Sequence, residues 1–185
     1  MGFLLSMIGK NPKTSWLDEA EPEIDPSATV HENAVVIGHV KIGKEVFVAP
    51  GAILRGDEAD LIEIGDRSNV QDNVVIHGLK GSKVIVGKEV SIAHGAIIHG
   101  PAEIGDNTFV GFQSLIFKSK IGKNCFIGHK SAVIGVELKD NTFVPNGTIV
   151  DTQDLANSLP KVPEDLKEFN REVVKVNREL AKGYR

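Results

Sequence analysis

An aliphatic residue recurs at every sixth position through most of this chain, often with glycine directly after it. The period extends from residue 24 to residue 150, with a few steps of five or ten residues. The repeating positions are Ile24, Val30, Val36, Ile42, Val48, Leu54, Ile64, Val70, Ile76, Val86, Ile92, Ile98, Ile104, Val110, Ile116, Ile121, Ile127, Val133, Leu138, Val144 and Val150. Such self-similarity is typical of a solenoid, in which short units stack on one another.

A period of six predicts short strands that each turn one aliphatic side chain inward before the next corner. Three units close a triangular coil of about 18 residues, and stacked coils pair as parallel strands about 4.8 Å apart. The low aromatic content, 5%, suits so narrow an interior. We therefore predict an all-β fold, a parallel β-helix of hexapeptide repeats, over residues 24–159, preceded by an N-terminal arm over residues 1–23.

The pattern changes after residue 160. From Leu166 to Leu180 the apolar residues follow the three- and four-residue spacing of an amphipathic helix, and two acidic residues stand at its predicted start. We predict a C-terminal α-helix within residues 160–185 that packs along the β-helix.

The chain begins with a short apolar stretch, Met1–Ser6. This stretch matches the loose pattern of a myristoylation site, but it lacks the basic residues and the length of a signal peptide. The favoured interpretation is an arm whose apolar residues pack on a neighbour.

Two steps of the period are ten residues long where six are expected. They run from Leu54 to Ile64 and from Ile76 to Val86, and each predicts a four-residue loop that leaves the coil. Loops on a rigid scaffold often carry chemistry, and both loops lie near the polar residues described next.

Polar residues align along the predicted coil in two columns. Arg55, His77 and His99 are each 22 residues apart, which is one coil plus one loop, so His77 and His99 can direct two imidazoles at one metal ion. Asp72 and His94 are also 22 residues apart and form a second column on a different side. The three histidines of one chain would therefore not converge easily, whereas His77 and His99 could meet His94 of a neighbouring chain around a three-fold axis.

Three histidines with an open fourth position are typical of a catalytic zinc-type site, whereas structural zinc sites are closed. The spacing alone leaves a second interpretation open, in which these are ordinary interface or surface histidines. His31, His39 and His129 lack the alignment, and we expect them on the surface.

Charge and composition narrow the functional classes. The 185 residues fit one domain, and a net charge of −4 without a basic stripe argues against nucleic acid as a partner. No segment approaches the ~20 apolar residues of a membrane span, so no membrane is expected as a partner. The single cysteine, Cys125, cannot form an intrachain disulfide, which is compatible with a reducing, cytoplasmic location.

Several motifs together resemble the γ-class carbonic anhydrases, and the resemblance covers almost the whole chain. The matching segments are Arg55-Gly-Asp57-Glu58, Asn69 to His77, His94, His99-Gly-Pro, Phe117 to Lys120, Val176-Asn177 and Gly183-Tyr184. The resemblance implies a left-handed β-helix and a homotrimer. It also implies the reversible hydration of CO₂ to bicarbonate and a proton, performed by a metal-bound hydroxide at the trimer interfaces.

The resemblance implies roles for individual residues. His77, His94 and His99 would bind one divalent metal at each subunit interface, with Zn²⁺ as the expected ion and Fe²⁺ or Co²⁺ as alternatives. Gln71 would position the metal-bound water or bicarbonate, and Asn177 is a further candidate for the same site.

Four other residues complete the implied site. Arg55, Asp57 and Asp72 would form an ion-pair network across the trimer interface, where Arg55 fits a structural role at least as well as a catalytic one. The acidic, proton-relaying loop of the best-known relatives corresponds here to the short basic stretch 77–83, so that shuttle is missing. Glu58 could take over part of the relay, which predicts turnover limited by proton transfer.

Three other functions remain open from the sequence. Hexapeptide-repeat acyltransferases use the same coil, but they need one basic histidine rather than a metal triad. A non-catalytic scaffold or assembly protein could keep the fold without turnover. A metal-bound hydroxide could also hydrolyse a thioester.

Overall fold

The computed structural model describes residues 8–185, so the apolar stretch Met1–Ser6 and its predicted roles lie outside the described residues. In this part of the chain 22 short strands precede two helices. The strands are β1 (Ile8–Gly9), β2 (Glu23–Ile24), β3 (Thr29–Val30), β4 (Val35–Gly38), β5 (Val40–Ile42), β6 (Phe47–Val48), β7 (Ile53–Gly56), β8 (Leu61–Ile64), β9 (Asn69–Val70), β10 (Val75–Gly78), β11 (Lys83–Val86), β12 (Ser91–Ile92), β13 (Ile97–Gly100), β14 (Ala102–Ile104), β15 (Phe109–Val110), β16 (Leu115–Phe117), β17 (Lys120–Ile121), β18 (Phe126–Ile127), β19 (Ala132–Ile134), β20 (Glu137–Leu138), β21 (Phe143–Val144) and β22 (Ile149–Val150). The helices are α1 (Gln153–Ser158) and α2 (Glu164–Gly183).

Every third strand belongs to the same sheet, and all strand pairs in the sheets are parallel. Sheet A has the order β1-β4-β7-β10-β13-β16-β19-β22, sheet B the order β2-β5-β8-β11-β14-β17-β20, and sheet C the order β21-β18-β15-β12-β9-β6-β3. The chain thus winds as a parallel β-helix of about seven turns followed by a C-terminal helix, which confirms the predicted fold class.

The repeating aliphatic residues form the interior of the coil. In sheet A, Leu54 pairs with Ile76, Ile76 with Ile98, and Ile98 with Ile116, and all four side chains are fully buried. Each such residue contacts its equivalent one coil away, so a single apolar column extends along the axis. Burial of this column is the main favourable contribution to folding, because no isolated unit could bury its own aliphatic side chain.

Glycine often follows the aliphatic residue because a larger side chain would clash with the next coil. A Cβ atom built on Gly65 would lie 2.5 Å from the backbone carbonyl carbon of Gly87 in the next coil. Only glycine allows the coils to approach this closely at that corner.

Helix α2 covers sheet C. The outward side chains of this sheet are mostly aromatic, and Phe109 and Phe126 pack with Leu166 and Val173 of the helix region. A hydrogen-bonded ion pair between Arg178 and Glu45, with a shortest distance of 2.8 Å, fixes the far end of the helix. Sheet C is thereby closed to solvent.

The other two sheets differ in their outward residues. Sheet B presents mainly charged side chains and faces water: Lys41, Glu63, Ile85, Glu103, Lys120 and Glu137. Sheet A presents an apolar column instead: Val35, Ile53, Val75, Ile97, Leu115, Ala132 and Ile149. Ile97 and Ile149 are 43% and 61% exposed, so sheet A carries an uncovered apolar face.

The six-residue period does not predict two short elements, strand β1 and helix α1. Strand β1, within the predicted N-terminal arm, adds an edge strand to sheet A by pairing with β4. Helix α1, within residues assigned to the β-helix, begins after Thr152 and buries Ala156 against the end of the core. The Gln153 side chain exchanges two hydrogen bonds with the backbone of Glu137 and so caps the open edge of sheet B. No helix in residues 8–185 has the length and apolar character to cross a membrane.

Substitution of one inward aliphatic residue should lower stability far more than substitution of an outward one. We expect Ile116→Ala to lower the free energy of unfolding by about 2–5 kcal/mol, because it leaves a cavity in the axial column. Ile85→Ala, on the outer face of sheet B, is the matched control and should cost less than half as much. Equilibrium urea unfolding at one protein concentration measures both, and equal losses would contradict the axial column as the main source of stability.

The thiol of Cys125 should be unreactive in the folded protein. Burial raises the pKa of Cys125 to about 11, so almost no thiolate is present at pH 8. We expect the aromatic disulfide dithiobis(nitrobenzoate) to label the native protein very slowly at pH 8 and the guanidinium-unfolded protein within minutes. Rapid labelling of the native protein would show that this coil opens.

Candidate metal centre

The first predicted column is present on the outer face of sheet A. Strands β7, β10 and β13 pair in register, so that Arg55 is next to His77 and His77 is next to His99. Each of these residues follows an inward aliphatic residue, and the alternation of a strand turns it outward. The column therefore follows directly from the register of the buried residues.

The two imidazoles of this column face each other. The Nδ1 atom of His77 lies 3.3 Å from Nε2 of His99. Each outer nitrogen has an acceptor nearby: Nε2 of His77 is 3.2 Å from a carboxylate oxygen of Asp57, and Nδ1 of His99 is 3.3 Å from the carbonyl oxygen of Gly100. Nε2 of His77 also lies 3.3 Å from a guanidinium nitrogen of Arg55, which is a donor. When each outer nitrogen carries the ring proton and donates it, both inner nitrogens present lone pairs to each other.

This arrangement fits a bound cation. Two nitrogen ligands of a tetrahedral ion with bonds of about 2.0–2.1 Å lie about 3.3–3.4 Å apart, which matches the distance between the rings. The alternative tautomer of His77 would accept from Arg55 and donate to His99, but it would direct a lone pair at the Asp57 carboxylate. Metal-ligating histidines usually donate their second nitrogen to a carboxylate or carbonyl, as these two do in the first arrangement.

The surroundings of His77 keep its ring neutral. Burial lowers the pKa of His77 below the usual histidine range, and the charge of Arg55 lowers it further, while Asp57 acts in the opposite direction. The Arg55 guanidinium lies 3.3 Å from both His77 Nε2 and the Asp57 carboxylate. A neutral imidazole is the form that can bind a metal.

The two inserted loops lie beside this column and stack on each other. The backbone N–H of Asp60 in the first loop donates to the carbonyl of Ser82 at the end of the second, at 2.8 Å. The N–H of Lys80 donates to one carboxylate oxygen of Glu58 at 3.0 Å, and the other oxygen is 3.7 Å from His77 Nε2. The Glu58 side chain is 38% exposed, so it connects the histidine column with solvent.

The second predicted column is also present, at a different corner of the coil. His94 donates from Nδ1 to a carboxylate oxygen of Asp72 at 2.8 Å, when that nitrogen carries the proton. The His94 side chain is 55% exposed. This bond leaves Nε2 of His94 with a lone pair that is available to a ligand.

His94 borders a groove between α2 and the coil. This groove, named here the helix groove, has a volume of about 490 Å³ and is mainly apolar. Gln71 lines it, and its amide nitrogen donates to Asn69, which in turn donates to Ser91. Asn177 lines the groove from α2, and its amide nitrogen donates back to the helix backbone. The Gln71 side chain is therefore fixed by a buried chain of amides.

Within one chain the predicted site residues form two separate groups. Arg55, His77 and His99 on sheet A lie together with Asp57 and Glu58 of the first inserted loop, whereas Gln71, Asp72, His94 and Asn177 border the helix groove. In residues 8–185 no group of three or more histidine, cysteine or carboxylate side chains could hold a metal ion by itself. Within the chain Arg55 forms an ion pair with Asp57, and Asp72 has His94 as its partner. The ion-pair network across a trimer interface stays a prediction.

Two aromatic rings lie next to the histidines. Phe112, which the sequence reasoning missed, stacks on His94. Phe117, which belongs to one of the matching motifs, contacts the edge of His99, and that contact was not predicted. Each lies 18 residues after its histidine, which is one coil without a loop. The same column argument that aligned the histidines could have found them.

Comparison with known proteins identifies one family profile and several relatives. The profile described as "Hexapeptide repeat of succinyl-transferase" matches residues 119–152. A carbonic anhydrase of Methanosarcina thermophila is 43% identical over 202 aligned positions, covering 97% of this chain and 82% of that protein. The carboxysome assembly protein CcmM of Nostoc sp. is 39% identical over 184 positions, covering 94% of this chain and 33% of that protein. This chain thus spans one third of the assembly protein.

Solved structures show the same coil. A hexapeptide transferase family protein from Anaplasma phagocytophilum superimposes with a TM-score of 0.78 at 28% identity, covering 89% of this chain and 93% of that one. A putative acetyltransferase from Bacillus cereus superimposes with a TM-score of 0.80 at 24% identity, covering 95% and 96%. The second likeness is one of fold alone.

Proposed function

We propose, because this chain belongs to the γ-class carbonic anhydrase family, that it hydrates CO₂ reversibly to bicarbonate and a proton at metal sites between the subunits of a homotrimer. The observation that carries the proposal is the pair of facing imidazole nitrogens, 3.3 Å apart, each backed by an acceptor on its other nitrogen. This is a two-thirds complete ligand set for a catalytic metal.

The third ligand would be His94 of an adjacent subunit. It stands on another corner of its own chain, is half exposed, and is held by Asp72 in the tautomer that leaves Nε2 unprotonated. A divalent cation held by three histidines lowers the pKa of a water molecule that it binds to about 7, which supplies hydroxide for attack on CO₂. Zn²⁺ is the expected ion, and Fe²⁺ and Co²⁺ suit the same donors.

The homotrimer is supported by the division of the three faces. Sheet C is covered by α2 and sheet B is charged, but the outer face of sheet A is apolar and holds His77 and His99. A contiguous column of seven outward apolar residues is rarely left exposed to solvent. Packing it against the helix groove of a second subunit would bury the face and bring His94 to the other two histidines.

The remaining predicted site residues have separate roles. The apolar helix groove suits uncharged CO₂, and the fixed Gln71 amide offers a hydrogen bond to water or to bicarbonate beside His94. Glu58, between His77 and solvent, is placed to accept the released proton. Asn177 is a second amide on the groove.

The carboxylates would orient the histidines of their own chain, Asp57 at His77 and Asp72 at His94. In the trimer Arg55, Asp57 and Asp72 would also form the proposed ion-pair network across the interface.

An assembly role is the second candidate, since CcmM of Nostoc is 39% identical over most of this chain. In such a protein the coil would bind partners and need no turnover. An acyltransferase is less well supported, because one catalytic base would explain neither the facing histidine pair nor the His94–Asp72 pair.

Metal-dependent CO₂ hydration tests the catalytic proposal. We expect the anaerobically purified protein, loaded separately with Zn²⁺, Fe²⁺ or Co²⁺, to hydrate CO₂ in a stopped-flow assay, and His94→Ala to lose at least about a hundredfold in rate because a ligand is removed. His39→Ala is the matched control, because the His39 ring contacts the carbonyl of Asp18 and neither histidine column. A fully metallated trimer without activity would favour the assembly role.

Mixing two inactive variants tests whether the site lies between subunits. A His77→Ala chain keeps His94, and a His94→Ala chain keeps His77 and His99. In every trimer that contains both variants, one of the three interfaces joins an intact His77–His99 pair to an intact His94. Random co-assembly of the two variants in equal amounts should therefore restore about a quarter of the wild-type sites and of the wild-type activity. Bound metal per trimer provides a second readout that needs no turnover. Restoration would be absent if all three ligands came from one chain.

A further inference from the structure

We propose that Phe112 and His129 are positioning residues that hold the His94 imidazole in the orientation required for metal binding. The proposal rests on the proposed function, because it treats His94 as a metal ligand. Neither residue lies in the motifs that identified the site.

The three rings form a stack at one corner of the coil. The Phe112 ring is nearly parallel to His94, with centroids 5.4 Å apart and planes 19° apart. On its other side it is nearly parallel to His129, at 4.4 Å and 10°. Phe112 is therefore a flat spacer between two imidazoles, with one ring per coil, and stacking of this kind favours one ring orientation.

The outer part of this stack is firmly anchored to the coil. The backbone N–H of Phe112 donates to Nδ1 of His129 at 3.1 Å, and its carbonyl accepts from the N–H of Lys130 at 2.8 Å. The backbone N–H of His129 donates to the side chain of Asn146 at 2.8 Å, and its ring edge contacts Phe109. The orientation of Phe112 is thus determined by the coils that follow it.

His94 needs this support because it is otherwise weakly held. More than half of its side chain is exposed, and the bond to Asp72 fixes one ring nitrogen without fixing the plane of the ring. Stacking on Phe112 fixes the plane, so the two contacts together set the direction of Nε2. Since His77 and His99 lie on another face, the ring must be oriented before a second subunit arrives, and preorganisation of this kind strengthens binding.

Metal affinity of the assembled full-length protein tests the proposal. Phe112→Leu keeps an apolar side chain but removes the flat ring, and Phe112→Tyr keeps the ring. We expect Phe112→Leu to bind Co²⁺ about three- to tenfold more weakly in competition with a chelator, and to change the visible absorption of the bound ion. Phe112→Tyr should match the wild type in both, and His129→Leu should weaken binding in the same direction.

A merely structural role would give a different result. If Phe112→Leu lowered the unfolding midpoint but bound Co²⁺ with wild-type affinity and spectrum, the positioning role would be overturned. The variant His94→Ala distinguishes a failure of the positioning role from a failure of the proposed metal site. If His94→Ala binds Co²⁺ more weakly and Phe112→Leu binds it normally, the proposed site stands and only the positioning role is rejected. Wild-type affinity in His94→Ala would reject the ligand set and the positioning role together. If Phe112→Leu does not assemble, His129→Leu decides by the same criteria.

Discussion

The stacking of aliphatic side chains along the axis is the constraint on which the rest of this molecule depends. Every coil must present its Val, Ile or Leu to the equivalent residue of the next coil, as Ile76 does to Leu54 and Ile98. A slip of one residue would turn the apolar set outward, so the register is fixed. The same register determines which outward residues become neighbours, and it is enough by itself to place His77 next to His99.

The two inserted loops show how chemistry is added without disturbing this stack. Each leaves the coil at the end of a strand that carries a site residue and returns in register, and a backbone hydrogen bond from Asp60 to Ser82 joins the two loops. The pair of loops fixes a carboxylate, Glu58, beside His77 at the edge of the apolar face. A single loop would leave that carboxylate without its backbone donor.

The three faces of the coil differ in chemical character. One is covered by the chain's own helix, one is charged, and one is apolar and bears a histidine pair. Within one chain the site residues are divided between the apolar face of sheet A and the helix groove. The proposed metal site would therefore need both surfaces, each from a different subunit.

The sequence by itself determined the coil, the C-terminal helix and the two columns of polar residues, because all of these follow from the six-residue period or from helical spacing. It also indicated the ligand types, through the resemblance of motifs around Arg55, His77 and His99 to one enzyme family. Only the tertiary structure decided which ring nitrogens face each other, that Glu58 is held by Lys80, and that Phe112 lies between His94 and His129. The edge strand β1 and the capping helix α1 likewise required it. A period specifies which way a residue points, whereas ring orientation and the closure of the coil's ends depend on packing between side chains that no period encodes.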